Sequence, residues 1–329
     1  MPFQLVRAIS TTAAGAMLAL VAMPSHAQTA CTPDRPVRLV VPFPAGGGTD
    51  IVARRLAEHL RQDLKQPVVV DNRAGASGNI GADNVAHAAP DGCTLMLTAA
   101  PFAIAPAVFK GLSFHPVKDF TAIAKVASVP LLVVTRADSP LKSMADLMEA
   151  ARRKPDAISY GTFGTGAPPH LVGSQIQRLG NFHMTHVPYK GGQAALPDLL
   201  SGQLDIAIMD VVSMTPLIRA GRLRALAITG PQRTAALPDV PTLAQAGIAF
   251  DTVGWYAIFG PAKMDPATTA RINQAANRAM KLPDMTKAVL DGGALLVDPP
   301  PTAEQWQAAF NDEVRIWGEV ARSANISLD

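Results

Sequence analysis

Three features are scarce in this sequence: aromatic residues, cysteines and blocks of charge of one sign. Aromatic residues make up only 5% of the chain, and the net charge is +3 with acidic and basic residues interleaved. A nucleic-acid partner is therefore not expected, because such a surface needs clustered basic residues and stacking aromatics. After residue 30 no apolar run approaches the roughly 20 residues that cross a bilayer, so the body of the chain is predicted to be soluble.

What the chain has is length and apolar content. Its 329 residues, 48% of them hydrophobic, suffice for two domains or one large α/β domain. The two cysteines, Cys31 and Cys93, are too far apart for a CxxC motif, and the histidines form no HExxH motif. A metal site is therefore not expected, and since the sequence also lacks a P-loop, no cofactor is expected.

The first 27 residues are predicted to be a signal peptide. Arg7 supplies a positive start, residues 13–23 form an apolar segment, and residues 25–27 (Ser-His-Ala) are typical of a cleavage site. An uncleaved anchor helix is the alternative, but the apolar segment is short and nothing after it would stop transfer. We therefore expect an exported, periplasmic protein. In an oxidising compartment an even pair of cysteines favours a disulfide.

Strands and helices are predicted to alternate along the rest of the chain. The predicted strands are rich in β-branched residues and lie near 36–43, 68–70, 94–98, 131–135, 158–161, 206–209 and 223–229, with one more that ends at 187. Amphipathic helices are expected between them, and the C-terminal part is predicted to be mostly helical. This alternation is typical of parallel sheets with helices on both faces.

Two glycine-rich loops, at 42–50 and 161–166, each follow a predicted strand and precede a predicted helix. Ligands of open α/β sheets bind at the carboxyl ends of strands, and helix N-termini there favour anions. Plain turns are the alternative for each loop. Dinucleotide binding is not expected, because the first loop lacks the last glycine of the GxGxxG motif and Asp50 would repel a pyrophosphate.

No set of catalytic residues is evident. Gly75 begins a segment in which Asn79 stands where a nucleophile elbow needs glycine. Asp205 and Asp210 could form a pair of carboxylates, but we expect them to cap the ends of a strand and a helix. His170, just inside the helix after the second loop, is more often a packed residue than a catalyst at such a position. The two loop–helix units instead indicate two lobes that face each other.

A series of short motifs lies in order along nearly all of residues 35–329. They are VPFPAGGGTD (41–50), DNRAG (71–75), GNIG (78–81), APDGCTL (89–95), YGTFGTGAPPHL (160–171), VPYKGG (187–192), LRALA (223–227) and LPDVPT (237–242). Together they resemble the motifs of the Bug-type receptors, the substrate-binding proteins of tripartite tricarboxylate transporters.

The resemblance implies an α/β fold of the class II periplasmic binding type, which closes on its ligand like a Venus flytrap. Each of its two lobes is expected to hold a mostly parallel sheet flanked by helices. We expect the first lobe to comprise residues 28–124 and 230–329, and the second to comprise 125–229. The hinge is expected near 120–126, where the chain passes from the first lobe to the second, and near 224–229, where it returns.

The resemblance also implies a small organic carboxylate as ligand, held by backbone amides and ordered waters between the two glycine loops. The binding residues carried over from the family are Phe43, Ala45, Gly46 and Asp50 in the first lobe, and Gly164, Thr165, Gly166 and His170 in the second. Asp50 either fixes its own loop or contacts the ligand. The first of these roles needs only local donors, whereas the second needs a hydroxyl or an amine on the ligand.

The expected partners follow from the same resemblance. The receptor would act as a monomer and deliver its ligand to the membrane components of a tripartite tricarboxylate transporter. A sensing module that signals to another protein is one alternative, and a periplasmic hydrolase on a two-lobed scaffold is the other.

Several residues depart from the family pattern. Ala167 stands where Ser or Thr is frequent, residues 99–102 are apolar, and Ala105 replaces a frequent Asn. These changes remove hydrogen-bonding capacity beside the expected pocket, so they disfavour a highly polar ligand such as citrate.

Cys93 also departs from the pattern, since it stands where a Tyr is usual. In a sheet of strand order 2-1-3 the first and third strands are parallel neighbours, and their amino ends lie side by side. Chain reach of about 3.3 Å per residue then brings Cys31 within disulfide distance of Cys93. Two free thiols, with Cys31 on a mobile arm, are the alternative.

Overall fold

The computed structural model describes residues 31–32 and 34–324, so the predicted signal peptide lies outside the described residues. Within them the chain forms ten strands and ten helices. The strands are β1 (Val37–Val41), β2 (Val68–Asn72), β3 (Thr94–Ala99), β4 (Phe120–Val129), β5 (Leu131–Arg136), β6 (Ser159–Thr162), β7 (Thr185–Pro188), β8 (Ile206–Asp210), β9 (Leu223–Ile228) and β10 (Gly254–Pro261). The helices are α1 (Gly48–Leu64), α2 (Asn79–Ala86), α3 (Pro101–Val108), α4 (Met144–Arg153), α5 (Pro168–Gly180), α6 (Gly192–Ser201), α7 (Val211–Arg219), α8 (Pro266–Met280), α9 (Pro283–Asp291) and α10 (Ala303–Ser323).

The strands form two five-stranded sheets of the same topology, with orders β2-β1-β3-β10-β4 and β7-β6-β8-β5-β9. In each sheet one strand, β10 or β5, runs antiparallel to both of its neighbours. These are the strands that enter a sheet after the chain has crossed from the other one. The predicted two-lobed α/β fold is therefore confirmed, with both sheets mixed. We call the parts built on the first and the second sheet the first lobe and the second lobe.

The two crossings between the sheets lie side by side. Pro130 alone separates β4 from β5, whereas residues 229–253 lead from β9 back to β10. Thr229 and Leu131 join the crossings, because the Leu131 amide donates to the Thr229 hydroxyl at 2.9 Å and the Thr229 amide donates to the Leu131 carbonyl at 2.8 Å. The predicted boundaries at 124/125 and 229/230 concern which segments move as rigid bodies, and they stay a prediction.

A disulfide joins Cys31, just before β1, to Cys93, just before β3. Their Cα atoms are 5.0 Å apart and both residues are buried. β1 and β3 are parallel neighbours, with Arg38 opposite Thr94. The predicted disulfide is confirmed, and it lies at the amino ends of these strands, opposite the edge where the first glycine loop begins.

An aromatic cluster fills the core of the first lobe on one face of its sheet. Phe259 on β10 lies 4.7 Å from Phe310 on α10 and 5.0 Å from Phe102 on α3, measured between ring centroids. Trp255 and Trp306 extend the same cluster, with ring centroids 5.5 Å apart. Of the helices in the described part of the chain, none is both long and apolar enough to cross a membrane.

Candidate ligand-binding site

A cavity of about 640 Å³ lies between the lobes, where the carboxyl ends of several strands meet. The first lobe lines it with segments that follow β1 and β3 and with the start of β10. The second lobe contributes segments that follow β6, β7 and β8. The volume is in the range of small-molecule pockets, and the location is the one expected for a ligand of an open α/β sheet.

The first turn of α1 lines this cavity through Gly47, Gly48 and Thr49. The Ile51 amide donates to the Gly47 carbonyl at 3.0 Å. The earlier amides of the turn, those of Gly48, Thr49 and Asp50, have no acceptor among the described residues, as the start of a helix requires. Free amides at the positive end of a helix dipole favour an anion here.

The Asp50 carboxylate is buried and accepts hydrogen bonds from three local donors. These are the Gly46 amide at 2.9 Å, Arg54 Nε at 2.9 Å and Asn72 Nδ2 at 3.0 Å. Burial raises the pKa of Asp50, but the hydrogen bonds from Arg54, Gly46 and Asn72 outweigh it and hold the pKa below its usual value. Of the two roles left open for Asp50, this geometry favours fixing the loop.

The other predicted residues of the first loop lie in different places. Phe43 lines the cavity and is half-buried. Ala45 and Gly46 are exposed at the turn and do not line the cavity. Gly46 instead contacts the second lobe, because its carbonyl accepts a hydrogen bond from Gln193 Nε2 at 3.1 Å.

In the second loop, Gly164 and Thr165 line the cavity. The Gly164 amide donates to Thr162 Oγ1 at 3.3 Å, whereas the amide and hydroxyl of Thr165 have no partner among the described residues. Gly164 has a φ of 146°, and a Cβ added to it would lie 3.3 Å from Ser77 Oγ of the first lobe. Thr165 therefore supplies the polar groups that this loop can offer to a ligand.

The N-terminus of α5 does not provide the free amides that the sequence led us to expect. Its first two residues, Pro168 and Pro169, carry no N–H, and the amides of His170 and Leu171 both donate to the Ala167 carbonyl, at 2.9 and 3.2 Å. Of the two glycine loops at 42–50 and 161–166, only the first is therefore followed by an open helix N-terminus among the described residues.

His170 lies behind the second loop and not on the cavity wall. Its ring stacks on that of His186 with centroids 3.8 Å apart, and its Nδ1 accepts from the Gly166 amide at 3.1 Å. His186 Nε2 lies 2.7 Å from Thr162 Oγ1. Burial lowers the pKa of His170 to about 4, and burial together with His170 lowers that of His186 to about 4. Two neutral imidazoles thus support the loop from behind.

The cavity residues on β10 were not predicted from the sequence. Trp255 and Tyr256 both line the cavity, and the Tyr256 hydroxyl donates to Asp210 Oδ1 at 3.3 Å. Burial, assisted by the Asp210 charge, raises the pKa of Tyr256 well above its usual value, so its hydroxyl stays protonated. No motif marked this strand, because its eight residues are all buried and show no alternation.

Asp210 itself was expected to cap a helix, and it does so. It is the N-cap of α7 and accepts from the Ser213 amide at 3.0 Å. Asp205 fulfils the matching role for β6, since its Oδ2 accepts from the amide and the hydroxyl of Ser159, at 2.8 and 2.7 Å. Within the described ranges, no group of three or more His, Cys, Asp or Glu residues is placed to hold a metal ion.

Comparisons with known proteins agree with this arrangement. A family model described as "Tripartite tricarboxylate transporter family receptor" matches residues 52–326. The structure of the periplasmic binding protein BugD has a TM-score of 0.85 and 33% identity, and covers 90% of this chain and 100% of its own.

Two further solved structures are those of proteins from Rhodopseudomonas palustris with their ligands. MatC with bound malate has a TM-score of 0.82 and 32% identity, and covers 88% of this chain and 100% of its own. Rpa4515 with adipate has a TM-score of 0.85 and 31% identity, and covers 90% of this chain and 99% of its own.

Proposed function

This chain belongs to the TctC family of tripartite tricarboxylate transporter receptors, and from that premise we propose that it binds a small organic carboxylate in the cavity between its lobes. Members of the family are periplasmic solute-binding receptors and not enzymes. The predicted resemblance to the Bug-type receptors is thus confirmed, and so is the expectation of a receptor in place of a hydrolase.

The observation that carries the proposal is the open first turn of α1 on the cavity wall. The free amides of Gly48 and Thr49 lie on the first lobe, and Thr165 lies on the second. A carboxylate between them would accept hydrogen bonds from both lobes at once. Malate and adipate, the ligands of the two similar R. palustris proteins, are carboxylates of suitable size.

The predicted site residues divide into two groups under this proposal. Phe43, Gly164 and Thr165 contact the ligand, since all three line the cavity. The others, Ala45, Gly46, Asp50, Gly166 and His170, shape the two loops that hold it.

The ligand would then be delivered to membrane components of a tripartite tricarboxylate transporter. Contacts across the cleft, such as that from Gln193 Nε2 to the Gly46 carbonyl at 3.1 Å, would form in a closed receptor and break in an open one. A membrane partner could therefore distinguish the closed receptor from the open one by the arrangement of its lobes. A monomeric receptor, exported by a cleaved signal peptide, is part of the same proposal. Light scattering on the purified mature protein tests the monomer.

A thermal-shift screen of the purified mature protein tests the binding function. The compounds are mono-, di- and tricarboxylates, aromatic acids and amino acids, each with its neutral amide as a matched control. At least one carboxylate is expected to raise Tm while its amide does not, because the free amides of α1 need an anionic acceptor. A screen in which no carboxylate changes Tm, with titration calorimetry also showing no heat of binding, would refute the proposal.

A further inference from the structure

Asp210 places a negative charge on the wall of the cavity. The residue ends β8, is half-buried and lies against the first turn of α1 in the opposite lobe. A side-chain carbon added to Gly48 would collide with the Asp210 carboxylate and with the Tyr256 hydroxyl. The carboxylate is therefore next to the amides to which the carboxylate of a ligand would bind.

The hydrogen bonds of Asp210 leave room for one more donor. Oδ1 accepts from the Ser213 amide at 3.0 Å and from the Tyr256 hydroxyl at 3.3 Å, and Oδ2 accepts from the Ser213 hydroxyl. An ionised carboxylate has about four lone-pair positions, and the described residues fill three. The remaining position is on Oδ2, and Asp210 lines the cavity.

A simple carboxylate ligand would meet a conflict at this place. Its negative charge, attracted by the first turn of α1, would lie close to that of Asp210, and like charges a few ångströms apart repel strongly where solvent is excluded. A positively charged group on the ligand, adjacent to its carboxylate, removes the conflict. It would also donate to the unfilled position on Asp210.

Much of the rest of the wall is apolar, although Ser77, Tyr189 and Gln193 add polar groups to it. The side chains without polar atoms that line it are five alanines, five prolines, Phe43, Phe163, Val129 and Leu131. Among the described lining residues Lys190 is the single basic one, and it is exposed. Lys190 is thus the one basic side chain in the described lining that could pair with a second carboxylate on the ligand, and Asp210 would repel that carboxylate.

We propose that the ligand is an apolar zwitterion, such as an α-amino acid with an aliphatic or aromatic side chain, whose ammonium group is bound by Asp210. This inference rests on the proposed carboxylate-binding function and narrows its ligand class. The carboxylate binds at the first turn of α1 and at Thr165, and the apolar side chain packs against the alanine-rich wall.

Titration calorimetry with matched pairs of compounds tests this. Leucine is compared with 4-methylpentanoate and phenylalanine with 3-phenylpropanoate, which differ only by the amino group, and malate and adipate are included. The unsubstituted protein is expected to bind at least one amino acid about tenfold or more tightly than its partner without the amine.

Asp210→Asn removes the charge but keeps an N-cap for α7 and an acceptor for Tyr256. In this variant the preference for the amino acid is expected to fall to about twofold or less. Asp198→Asn is the matched control. Asp198 also accepts from a tyrosine hydroxyl, that of Tyr189 at 2.6 Å, but does not line the cavity. This control is expected to keep the preference.

Three results would overturn the inference and leave the proposed function intact. They are equal or weaker binding of the amino acid relative to its partner, tighter binding of malate or adipate than of any amino acid, and a preference that survives in Asp210→Asn. If no carboxylate of any kind binds, the proposed function fails and the inference fails with it.

Discussion

Asp50 shows how the partners of one charged residue decide its role. A buried carboxylate is costly unless donors surround it, and Asp50 has an arginine, an amide N–H and an asparagine as donors. Asp50→Asn is expected to lower the free energy of unfolding at pH 7 by about 1–3 kcal/mol, because one oxygen acceptor becomes an NH₂ donor. Urea unfolding measures this.

The pH dependence of that effect follows from the direction of the pKa shift. The pKa of Asp50 is lowered in the folded state, so its contribution is complete above the unfolded value of about 3.9 and is lost as pH falls through the folded value. The difference between variant and unsubstituted protein should therefore shrink at pH 3. Asp312→Asn, at an exposed ion pair with Arg315, is the control and should change little. Equal stability of Asp50→Asn and the unsubstituted protein at pH 7 would contradict this account.

The stacked imidazoles of His170 and His186 predict a different pH profile. Both have folded pKa values of about 4, below the unfolded value of about 6.5. Between these values the unfolded chain binds more protons than the folded one, so the free energy of unfolding should fall as pH drops from about 7 to about 4. Unfolding in urea at a series of pH values gives the slope.

His186→Gln removes one of these titrations and keeps a side chain that can bond to Thr162. Its slope between pH 7 and pH 4 should be smaller than that of the unsubstituted protein. His87→Gln is the matched control, since His87 is exposed and lies near Asp83. If His186→Gln and His87→Gln give the same slope as the unsubstituted protein, the buried imidazoles do not control the acid response.

At the scale of elements, the disulfide ties the start of the described chain to β3. It closes a loop with a sequence separation of 62, and cross-links of this kind stabilise mainly by restricting the unfolded chain. Cys31→Ser combined with Cys93→Ser should lower the free energy of unfolding by about 2–4 kcal/mol. Urea unfolding with and without a reductant measures the change.

The reductant supplies the control for this prediction. It should bring the unsubstituted protein to about the stability of the double variant and leave the double variant unchanged. Thiol titration of the unreduced, denatured protein should find none. Two reactive thiols per chain would show that the bond does not form.

Elements with a clear sequence pattern were predictable, and elements without one were not. β1, β2 and β3 are rich in valine or leucine and are bounded by turns, and their order 2-1-3 was expected. β4 and β10 were missed: β4 lies where a hinge was expected, and β10 is buried at every position. α3 was also missed, because Pro101–Val108 is apolar all round and contains Pro106.

In the candidate site, too, the parts with a local sequence pattern were predictable and the parts without one were not. A glycine loop before a helix predicts free amides from local sequence alone, and the first turn of α1 has them. The same pattern failed at α5, where Pro168 and Pro169 remove the donors. Asp210 and Tyr256 come from different lobes, and only the closed arrangement of the two sheets brings them together. Contacts of this kind have no local sequence pattern.

At the scale of the whole molecule, ligand binding and lobe closure depend on the same surfaces. The lobes touch where Gln193 contacts Gly46, where Asp210 contacts Tyr256 and where Gly164 faces Ser77. We propose that the lobes open about the paired crossings at Pro130 and Thr229, since these are the points where the chain passes between the sheets. The cavity would then be accessible in the open receptor and enclosed in the closed one.

Gly164→Val tests this coupling between binding and closure. A Cβ at Gly164 would lie 3.3 Å from Ser77 Oγ in the opposite lobe, so a β-branched side chain there should hold the lobes apart. Ligand affinity is expected to fall about tenfold or more, because the carboxylate loses the donors of one lobe.

Gly221→Val is the matched control: Gly221 also has a positive φ, of 66°, in the second lobe, but a Cβ there would meet nothing within 4 Å. Both variants place a β-branched residue at a positive φ, 146° at Gly164 and 66° at Gly221, so both should lose stability while the control keeps its affinity. Small-angle scattering should show compaction on adding ligand to the control and none for Gly164→Val. Unchanged affinity in Gly164→Val would mean that the two loops do not close on the ligand.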